Sequence, residues 1–324
     1  MHSNVLSISE EPFAYNLFPK YKNIRVWTDT IIEQYCYDFY LFSETYMQFQ
    51  FGKKEELKKS LKLHQKRLTI YLAIKLTYLN FFPLKDKNKT TTIVDKELKF
   101  HHVISDMATW YPNSKYIILL RDPRDTVLIN IKKQRKEKVD ANLIRLAKEW
   151  NYVYKTLHNR LNNINKDRFI QIKYEDLVTD PENVLKKISS FIGIEYSNTM
   201  LNYSENIKKV SSQSHLLQEY ISSYHSGLTQ QVNTNKVGIW KTELSKNESD
   251  IIWSICKNTA IKNGYQKNSS DKIFFINIVN LYCLIHFYIS NILIPYLYFS
   301  SPFILKYIIK KIKYRKIVYR KMSN

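Results

Sequence analysis

The sequence contains few glycines and few cysteines for its length of 324 residues. Five glycines are present, whereas an average chain of this size would carry about 20. No two of them are close enough to form a GxGxxG or GxxxxGK[ST] loop, which excludes an intact dinucleotide-binding fingerprint or Walker loop. The three cysteines are far apart and form no CxxC pair, so the sequence predicts neither a disulfide framework nor a cysteine zinc site.

Acidic residues are also scarce. The chain has 50 Lys and Arg against 29 Asp and Glu, a formal net charge of +21. Residues 265–324 hold ten basic residues and one Asp, so this segment alone carries +9. The remainder is moderately basic, as expected of a protein that handles anionic ligands or surfaces. The first residues have no basic region and no long apolar run, so they do not predict a signal peptide.

The C-terminal part of the chain has an unusual charge pattern. Residues 273–305 contain no charged side chain, and eight basic residues follow between Lys306 and Lys321. The stretch 273–294 is long enough to span a bilayer before Pro295 interrupts it. Two interpretations are open: a buried core helix followed by a solvated basic tail, or a segment that spans the membrane or lies in its interface. In the second case the tail would favour anionic lipids.

The middle of the sequence predicts alternating strands and helices. The predicted strands are 91–94, 116–120 and 169–173, and the apolar run at 116–120 is typical of a strand buried on both faces of a parallel sheet. Such alternation indicates βαβ units and a three-layer α/β domain. The predicted helices are a single amphipathic helix over 54–79, helices over 102–110 and 142–158, one from the N-cap Asp180 to Gly193, and one from the capping box at Ser245 to Gly264.

An arginine ends the central predicted strand. Residues 119–125 read LLRDPRD, so Arg121 follows the strand directly. Ligands of open α/β sheets bind at the carboxyl ends of strands, and the planar guanidinium fork suits phosphate oxygens. Taken alone, such an arginine forms a structural salt bridge more often than it binds a ligand.

Several motifs follow one another along the sequence: IVDK at 93–96, LLRDPRD at 119–125, KEWN at 148–151, YEDLVTDPE at 174–182, FIGI at 191–194, and VN followed by Trp240 at 232–240. In order and spacing they resemble the PAPS-dependent sulfotransferases, and within them the tyrosylprotein-sulfotransferase-like and related bacterial enzymes. (PAPS is 3′-phosphoadenosine 5′-phosphosulfate.) The resemblance covers about residues 1–265. It implies a sulfotransferase-like domain over 1–265, with a central parallel sheet in a three-layer α/β/α fold of P-loop-NTPase type, and a hydrophobic, basic extension over 266–324.

The resemblance also implies a nucleotide site. Arg121 would bind the 3′-phosphate and Tyr174 would line the nucleotide pocket. Where the family places a second phosphate ligand, a serine, this chain has Ile129, with Asn130 adjacent as a substitute ligand. Lys236 and Trp240 would belong to a loop that closes over the nucleotide. Tyr174 and Trp240 have a simpler structural interpretation, as core or rim packing.

Two catalytic residues follow from the same resemblance. Lys96 matches a family lysine that stabilises the leaving phosphate oxygen, because sulfuryl transfer needs positive charge where the bridging oxygen becomes anionic. Glu11, in the Glu-Glu pair at 10–11, would be the general base that takes the acceptor's proton. Without the resemblance, the glutamate pair would be interpreted as a solvated acidic pair and Lys96 as a surface lysine.

The family's phosphosulfate-binding loop, an Arg-Ser-Gly-Thr-Thr type turn after the first strand, has no counterpart in this sequence. The chain resembles the family from just after the following helix, so the first strand and the loop would be missing. Two explanations are open: the sequence is a fragment of a working enzyme, or it is a degenerate, non-catalytic member. A missing central strand would expose a sheet edge.

The expected activity is transfer of a sulfuryl group from PAPS to a hydroxyl of a carbohydrate, lipid or tyrosyl acceptor. No metal is expected: the adjacent pair His101 and His102 would be splayed apart by a helix. The location would be cytoplasmic or membrane-associated. Two other classes remain open, a membrane-associated scaffold and a nucleic-acid binder that uses the basic run at 132–136, although no recognised nucleic-acid module is present.

Overall fold

The structure is a computed structural model that describes residues 2, 4–9, 13–42, 54–80, 89–96, 100–138, 141–212, 218, 221–222, 226–266, 285, 287–302, 305 and 308. It divides into two compact units. Unit 1 comprises residues 1–98, 202–231 and 300–324, and unit 2 comprises residues 99–201 and 232–299. The predicted domain boundary at residue 265 stays a prediction.

Helices and parallel strands alternate along the described chain, which confirms the predicted α/β class. The elements are β1 (Val5–Ser9), α1 (Phe13–Tyr21), α2 (Asp29–Phe42), α3 (Lys54–Leu63), α4 (Ile70–Asn80), β2 (Thr92–Lys96), α5 (Ile104–Trp110), β3 (Tyr116–Leu120), α6 (Pro123–Lys136), α7 (Leu143–Leu161), β4 (Phe169–Lys173), α8 (Tyr174–Thr179), α9 (Pro181–Ile192), α10 (Tyr203–Ser211), α11 (Trp240–Glu243), α12 (Lys246–Lys262) and α13 (Ile294–Ser300).

Unit 1 contains the strand pair β1–β2. The two strands are parallel, with Val5 opposite Thr92 and Ser9 opposite Lys96. Helices α1 to α4 form the crossover that a parallel pair requires. An aromatic cluster fills their core: the buried rings of Tyr21, Trp27 and Tyr35 lie 5.1–5.7 Å apart, centroid to centroid.

The prediction of one helix over 54–79 was wrong, because the chain forms α3 and α4 with a break between them. A short 3-10 turn at Gln65–Arg67 precedes Leu68, whose backbone is extended. The Gln65 side chain donates to the Trp27 carbonyl at 2.8 Å, which fixes the turn against another part of unit 1. The leucines keep helical spacing on both sides of the break, so the sequence pattern does not reveal it.

Unit 2 contains the strand pair β3–β4. These strands are also parallel, and the register places Leu120 opposite Lys173, so both strands end at the same edge. The main core lies between α6, α7 and α12, and a second cluster packs against β3. The fully or nearly fully buried residues of the main core include Val127, Ala147, Trp150, Ile252, Trp253 and Cys256.

The prediction that both faces of β3 are buried was wrong among the described residues. Ile118 and Leu120 are buried, whereas Ile117 is 39% and Leu119 is 48% exposed. The strand therefore alternates as a half-buried strand does. A continuous apolar run satisfies either arrangement, since the sequence does not specify what packs on the second face.

The predicted boundaries of α9 and the predicted capping box of α12 are confirmed. Asp180 accepts from the Asn183 N–H at the start of α9, and Gly193 ends that helix with a left-handed φ of 82°. Ser245 and Glu248 form the reciprocal capping box at the start of α12. Cap residues act on neighbouring backbone groups, which explains why local sequence predicts them well.

The described C-terminal residues include a π-helical turn at Ile289–Leu293 that continues into α13. None of the helices in the described stretches combines the length and apolarity that a membrane crossing requires. Most of the predicted apolar segment 273–294, namely 273–284, lies outside the described residues, as does the basic tail after 308.

Candidate functional site

The carboxyl ends of β3 and β4 bring two of the predicted site residues together. Arg121 follows β3 and Tyr174 follows β4, one residue beyond the paired Leu120 and Lys173. The Arg121 guanidinium carbon lies 4.1 Å from the centroid of the Tyr174 ring, in cation–π contact. The main chain of Arg121 is also fixed, because its carbonyl accepts from the Trp150 indole N–H at 3.1 Å.

Arg121 retains hydrogen-bonding capacity in this position. Its Nη2 donates to the Lys236 carbonyl. Its Nε is buried and, within the described part of the chain, has no hydrogen-bond partner. A buried N–H without an acceptor costs about 1–3 kcal/mol of free energy. An anionic ligand that accepts a hydrogen bond from this Nε would remove that cost. Arg121 and Tyr174 thus form an edge with the chemistry to bind a phosphate.

Behind this edge lies a buried ion pair that the sequence did not predict. Asp122 caps the N-terminus of α6 through the Arg124 backbone N–H at 2.8 Å. The same carboxylate accepts from Arg124 Nε at 2.9 Å and Nη2 at 2.6 Å. The Arg124 guanidinium lies between two indole rings, 3.7 Å from Trp240 and 5.0 Å from Trp253. An Asp before Pro123 is a sequence signal for a helix cap, but no sequence signal predicts that the Asp122 and Arg124 side chains pair.

The predicted loop around Lys236 and Trp240 lies against the start of α6. Asp125 accepts from the Gly238 backbone N–H at 2.7 Å and from the Trp240 backbone N–H at 3.0 Å. Burial raises the pKa of Asp125, and these two N–H groups oppose that shift. The Lys236 side chain is exposed, and the Trp240 ring packs on Arg124 rather than on Arg121.

Glu175 joins the two strand ends. Its Oε1 accepts from the Asp122 backbone N–H at 2.9 Å, and its Oε2 accepts from the Tyr265 hydroxyl at 3.0 Å. Burial, together with the negative charge of Glu175, raises the pKa of Tyr265 far above its ordinary value. Tyr265 therefore stays a neutral donor that holds Glu175 in place.

The other predicted residues are distributed differently. Asn130 is half-buried on α6. Lys96 belongs to unit 1, where it is exposed at the carboxyl end of β2, opposite Ser9. Beside it, Asp95 accepts from the Tyr78 hydroxyl at 2.6 Å. Glu11, the predicted general base, lies outside the described residues.

The histidine pair is arranged differently from the prediction. His101 and His102 lie in a 3-10 turn with ring centroids 3.9 Å apart, so they are not splayed, and that part of the reasoning was wrong. Among the described residues, no group of three or more His, Cys, Asp or Glu side chains is arranged to hold a metal ion.

A sequence model of the sulfotransferase family matches residues 9–198 of this chain. The chain is similar to a protein-tyrosine sulfotransferase of Drosophila melanogaster, 32% identical over 101 residues, which is 31% of this chain and 20% of that protein. It is also similar to protein-tyrosine sulfotransferase 2 of Gallus gallus, 33% identical over 105 residues, which is 32% of this chain and 28% of that protein. The matched regions thus span less than a third of either relative.

Among solved structures, the chain is similar to the sulfotransferase domain from the curacin biosynthetic pathway. The two are 17% identical, with a TM-score of 0.49, over 82% of this chain and 90% of that one. The sulfotransferase domain from the Synechococcus PCC 7002 olefin synthase is also 17% identical, with a TM-score of 0.44, over 82% of this chain and 97% of that one.

Proposed function

Since the chain belongs to the sulfotransferase family, we propose that it binds PAPS and transfers the sulfuryl group to a hydroxyl of an acceptor. The observation that carries the proposal is the pairing of Arg121 with Tyr174 at the shared carboxyl edge of β3 and β4. An arginine with an unused buried donor, stacked on an aromatic ring, suits a nucleotide that carries a phosphate beside a base.

Several residues of unit 2 fit the nucleotide. Arg121 would hold the 3′-phosphate, with Tyr174 fixing the plane of its guanidinium. Asn130 would add an amide donor, and Lys236 a second positive charge from the neighbouring segment. Trp240 acts through Arg124, which it covers, rather than by contact with the phosphate.

When bound, PAPS supplies the activated sulfuryl group. Lys96 would place positive charge where the departing phosphate oxygen becomes anionic, and the residue is exposed at the end of β2. Glu11 would accept the proton of the acceptor hydroxyl. Both assignments rest on the resemblance of their local sequences to the family.

The acceptor that we propose is a tyrosyl hydroxyl, and the names of two relatives support it. Both are protein-tyrosine sulfotransferases, which supports a tyrosyl hydroxyl ahead of a carbohydrate or lipid hydroxyl. Full-length protein incubated with radiolabelled PAPS and a panel of tyrosyl peptides, oligosaccharides and lipids tests this order. Label that enters only sugars or lipids would contradict it.

The nucleotide site is tested without an acceptor. Isothermal titration with adenosine 3′,5′-bisphosphate should show binding that Arg121→Ala weakens by about 10- to 100-fold, the loss expected for hydrogen bonds to a charged group. Arg135→Ala is the matched control: it removes the same charge from an exposed position near the end of α6 and should leave the affinity unchanged. Absence of binding by the unmodified protein would contradict PAPS dependence and favour a scaffold role.

We also propose that the C-terminal region contacts anionic membranes. Large apolar side chains at residues 285, 288, 289, 293 and 294 are 39–55% exposed, and eight basic residues follow from Lys306 to Lys321. Exposed apolar side chains that are followed in the sequence by positive charge suit an anionic lipid interface. Flotation with phosphatidylserine vesicles should recover the protein, and phosphatidylcholine vesicles or the double variant Ile289→Asp and Leu293→Asp should recover much less. Equal recovery in all arms would contradict the contact.

A further inference from the structure

Arg121, which precedes α6, and Asp125, in its first turn, both form hydrogen bonds with the segment 236–240. Arg121 donates through Nη2 to the Lys236 carbonyl. Asp125, four residues later, accepts from the Gly238 N–H at 2.7 Å through Oδ2 and from the Trp240 N–H at 3.0 Å through Oδ1. Both carboxylate oxygens of Asp125 are therefore used on the same short segment.

The Asp125 contact is buried. Asp125 is 1% exposed. A buried carboxylate is stable only when its charge is compensated. Its position in the first turn of α6 supplies part of that compensation, because the helix N-terminus carries partial positive charge. The two backbone N–H groups of the segment supply direct hydrogen bonds.

The backbone shape of the segment makes this double contact possible. Gly238 has a φ of 69°, in the left-handed region that side-chain-bearing residues avoid. The turn brings the N–H groups of residues 238 and 240 to one carboxylate, and it places the Lys236 carbonyl beside Arg121. The orientation of the Arg121 guanidinium thus depends on where the segment lies.

We propose that Asp125 is a positioning residue that fixes the 236–240 segment before any nucleotide binds, and that the segment in turn sets the direction of the Arg121 guanidinium. This inference rests on the proposed nucleotide site. It differs from a loop that closes over bound nucleotide: Asp125 holds the segment through backbone N–H groups, which no ligand needs to supply. Lys236 is then presented from a fixed backbone.

The variant Asp125→Asn tests the contact with little change of shape. An amide has one acceptor oxygen, and its NH₂ group would face a backbone N–H, so one of the two hydrogen bonds is lost. In the nucleotide-free full-length protein, hydrogen exchange at the Gly238 and Trp240 amides should accelerate by about 10- to 100-fold, as expected for loss of a charge-assisted hydrogen bond. Asp106→Asn is the matched control, an exposed aspartate in the first turn of α5 that should leave these amides unchanged.

A second variant disturbs the segment 236–240 through its own backbone instead of through Asp125. Gly238→Ala keeps Asp125 but imposes strain at φ 69°, and the added Cβ meets only the Lys241 side chain, at 3.8 Å. It should accelerate exchange at Trp240 in the same way. With PAPS as the varied substrate, both variants should raise KM several-fold, while the KM for the acceptor stays constant.

The outcomes separate this proposal from the proposed function. Unchanged exchange at residues 238 and 240 in Asp125→Asn overturns the positioning role, whatever the nucleotide affinity. Equal acceleration throughout α7 and α12 also overturns it, because Asp125 would then be a general stability residue. Faster exchange confined to the segment, in a protein that binds no adenosine 3′,5′-bisphosphate, supports the fixed segment and overturns its link to a nucleotide site.

Discussion

The strand ends at β3 and β2 differ in how their polar residues are held. After β3, Asp122, Arg124 and Asp125 are buried and joined by hydrogen bonds to each other or to distant backbone. At the end of β2, Lys96 is exposed. Both ends carry residues that the family resemblance assigns to one reaction, but the residues after β3 are buried whereas the assigned residue of β2 is exposed.

With the proposed roles, the difference implies that binding and chemistry place different demands on the fold. A phosphate ligand requires donors in fixed directions, which a packed network supplies. A lysine that stabilises the negative charge of a leaving group can reach it with its long, flexible side chain, without a packed network around it. Substitutions after β3 should therefore lower stability or affinity, and substitution at the end of β2 should lower the rate alone.

The largest expected effect is on stability at the β3 end. Arg124→Met would leave the buried Asp122 carboxylate without its partner and should lower the free energy of unfolding by about 3–5 kcal/mol. Urea denaturation of the full-length protein measures this. Lys132→Met, on the same helix but in an exposed pair with Glu243, is the control and should cost less than about 1 kcal/mol. Similar losses of stability in the two variants would show that the buried ion pair stabilises the fold no more than the exposed one does.

The next effect is on rate at the β2 end. Lys96→Ala should lower kcat by about 10²- to 10³-fold, the usual loss when one group that stabilises developing negative charge is removed. The free energy of unfolding should change by less than about 0.5 kcal/mol, because the side chain is exposed. Steady-state sulfuryl transfer and urea denaturation of the same preparations give both values. A stability loss as large as that of Arg124→Met would break the comparison.

A smaller effect is expected where Arg121 meets Tyr174. Tyr174→Ala removes a cation–π contact worth about 0.5–2 kcal/mol, so the affinity for adenosine 3′,5′-bisphosphate should fall by about 2- to 30-fold. Tyr174→Phe keeps the ring and should bind as the unmodified protein does. Titration calorimetry distinguishes the two variants, and a loss in the Phe variant would assign the role to the hydroxyl instead.

The smallest effect serves as a baseline away from both strand ends. Ser245→Ala removes the cap of α12 and should cost about 1 kcal/mol of stability. Hydrogen bonds from Ser245 lower the pKa of Glu248. A lowered carboxyl pKa stabilises the fold above the ordinary pKa of about 4.3 and loses that contribution as the pH falls through the lowered value. The deficit of the variant, measured by urea denaturation, should shrink with acidification; a constant deficit would exclude the Glu248 contribution.

Local sequence predicted much of unit 2. Asp180, Pro181 and Gly193 are confirmed as the boundaries of α9, and the strands β3 and β4 have the predicted ends. The convergence of Arg121 and Tyr174 follows from parallel pairing, which aligns the carboxyl ends of neighbouring strands. These features depend on neighbours in the sequence or on one general rule of sheets.

The rest depends on contacts that leave no local pattern. The break between α3 and α4 is fixed by a side chain bonded to the Trp27 carbonyl, 38 residues away. Asp125 accepts hydrogen bonds from backbone N–H groups, which every residue except proline possesses. The residue types in the sequence therefore do not predict which N–H groups these are. The LLRDPRD motif contains Asp125 but does not predict its hydrogen bonds to residues 238 and 240.

The separation between Asp125 and its partners has a consequence for synthesis of the protein. The two hydrogen-bonded N–H groups lie 113 and 115 residues after the carboxylate. During translation, α6 leaves the ribosome long before residue 240, and long-range contacts form late because the chain between them must first be ordered. Until then the Asp125 carboxylate lacks the two N–H partners of residues 238 and 240. The edge that we propose as the nucleotide site is thus completed among the last parts of unit 2, when α11 and α12 have been made.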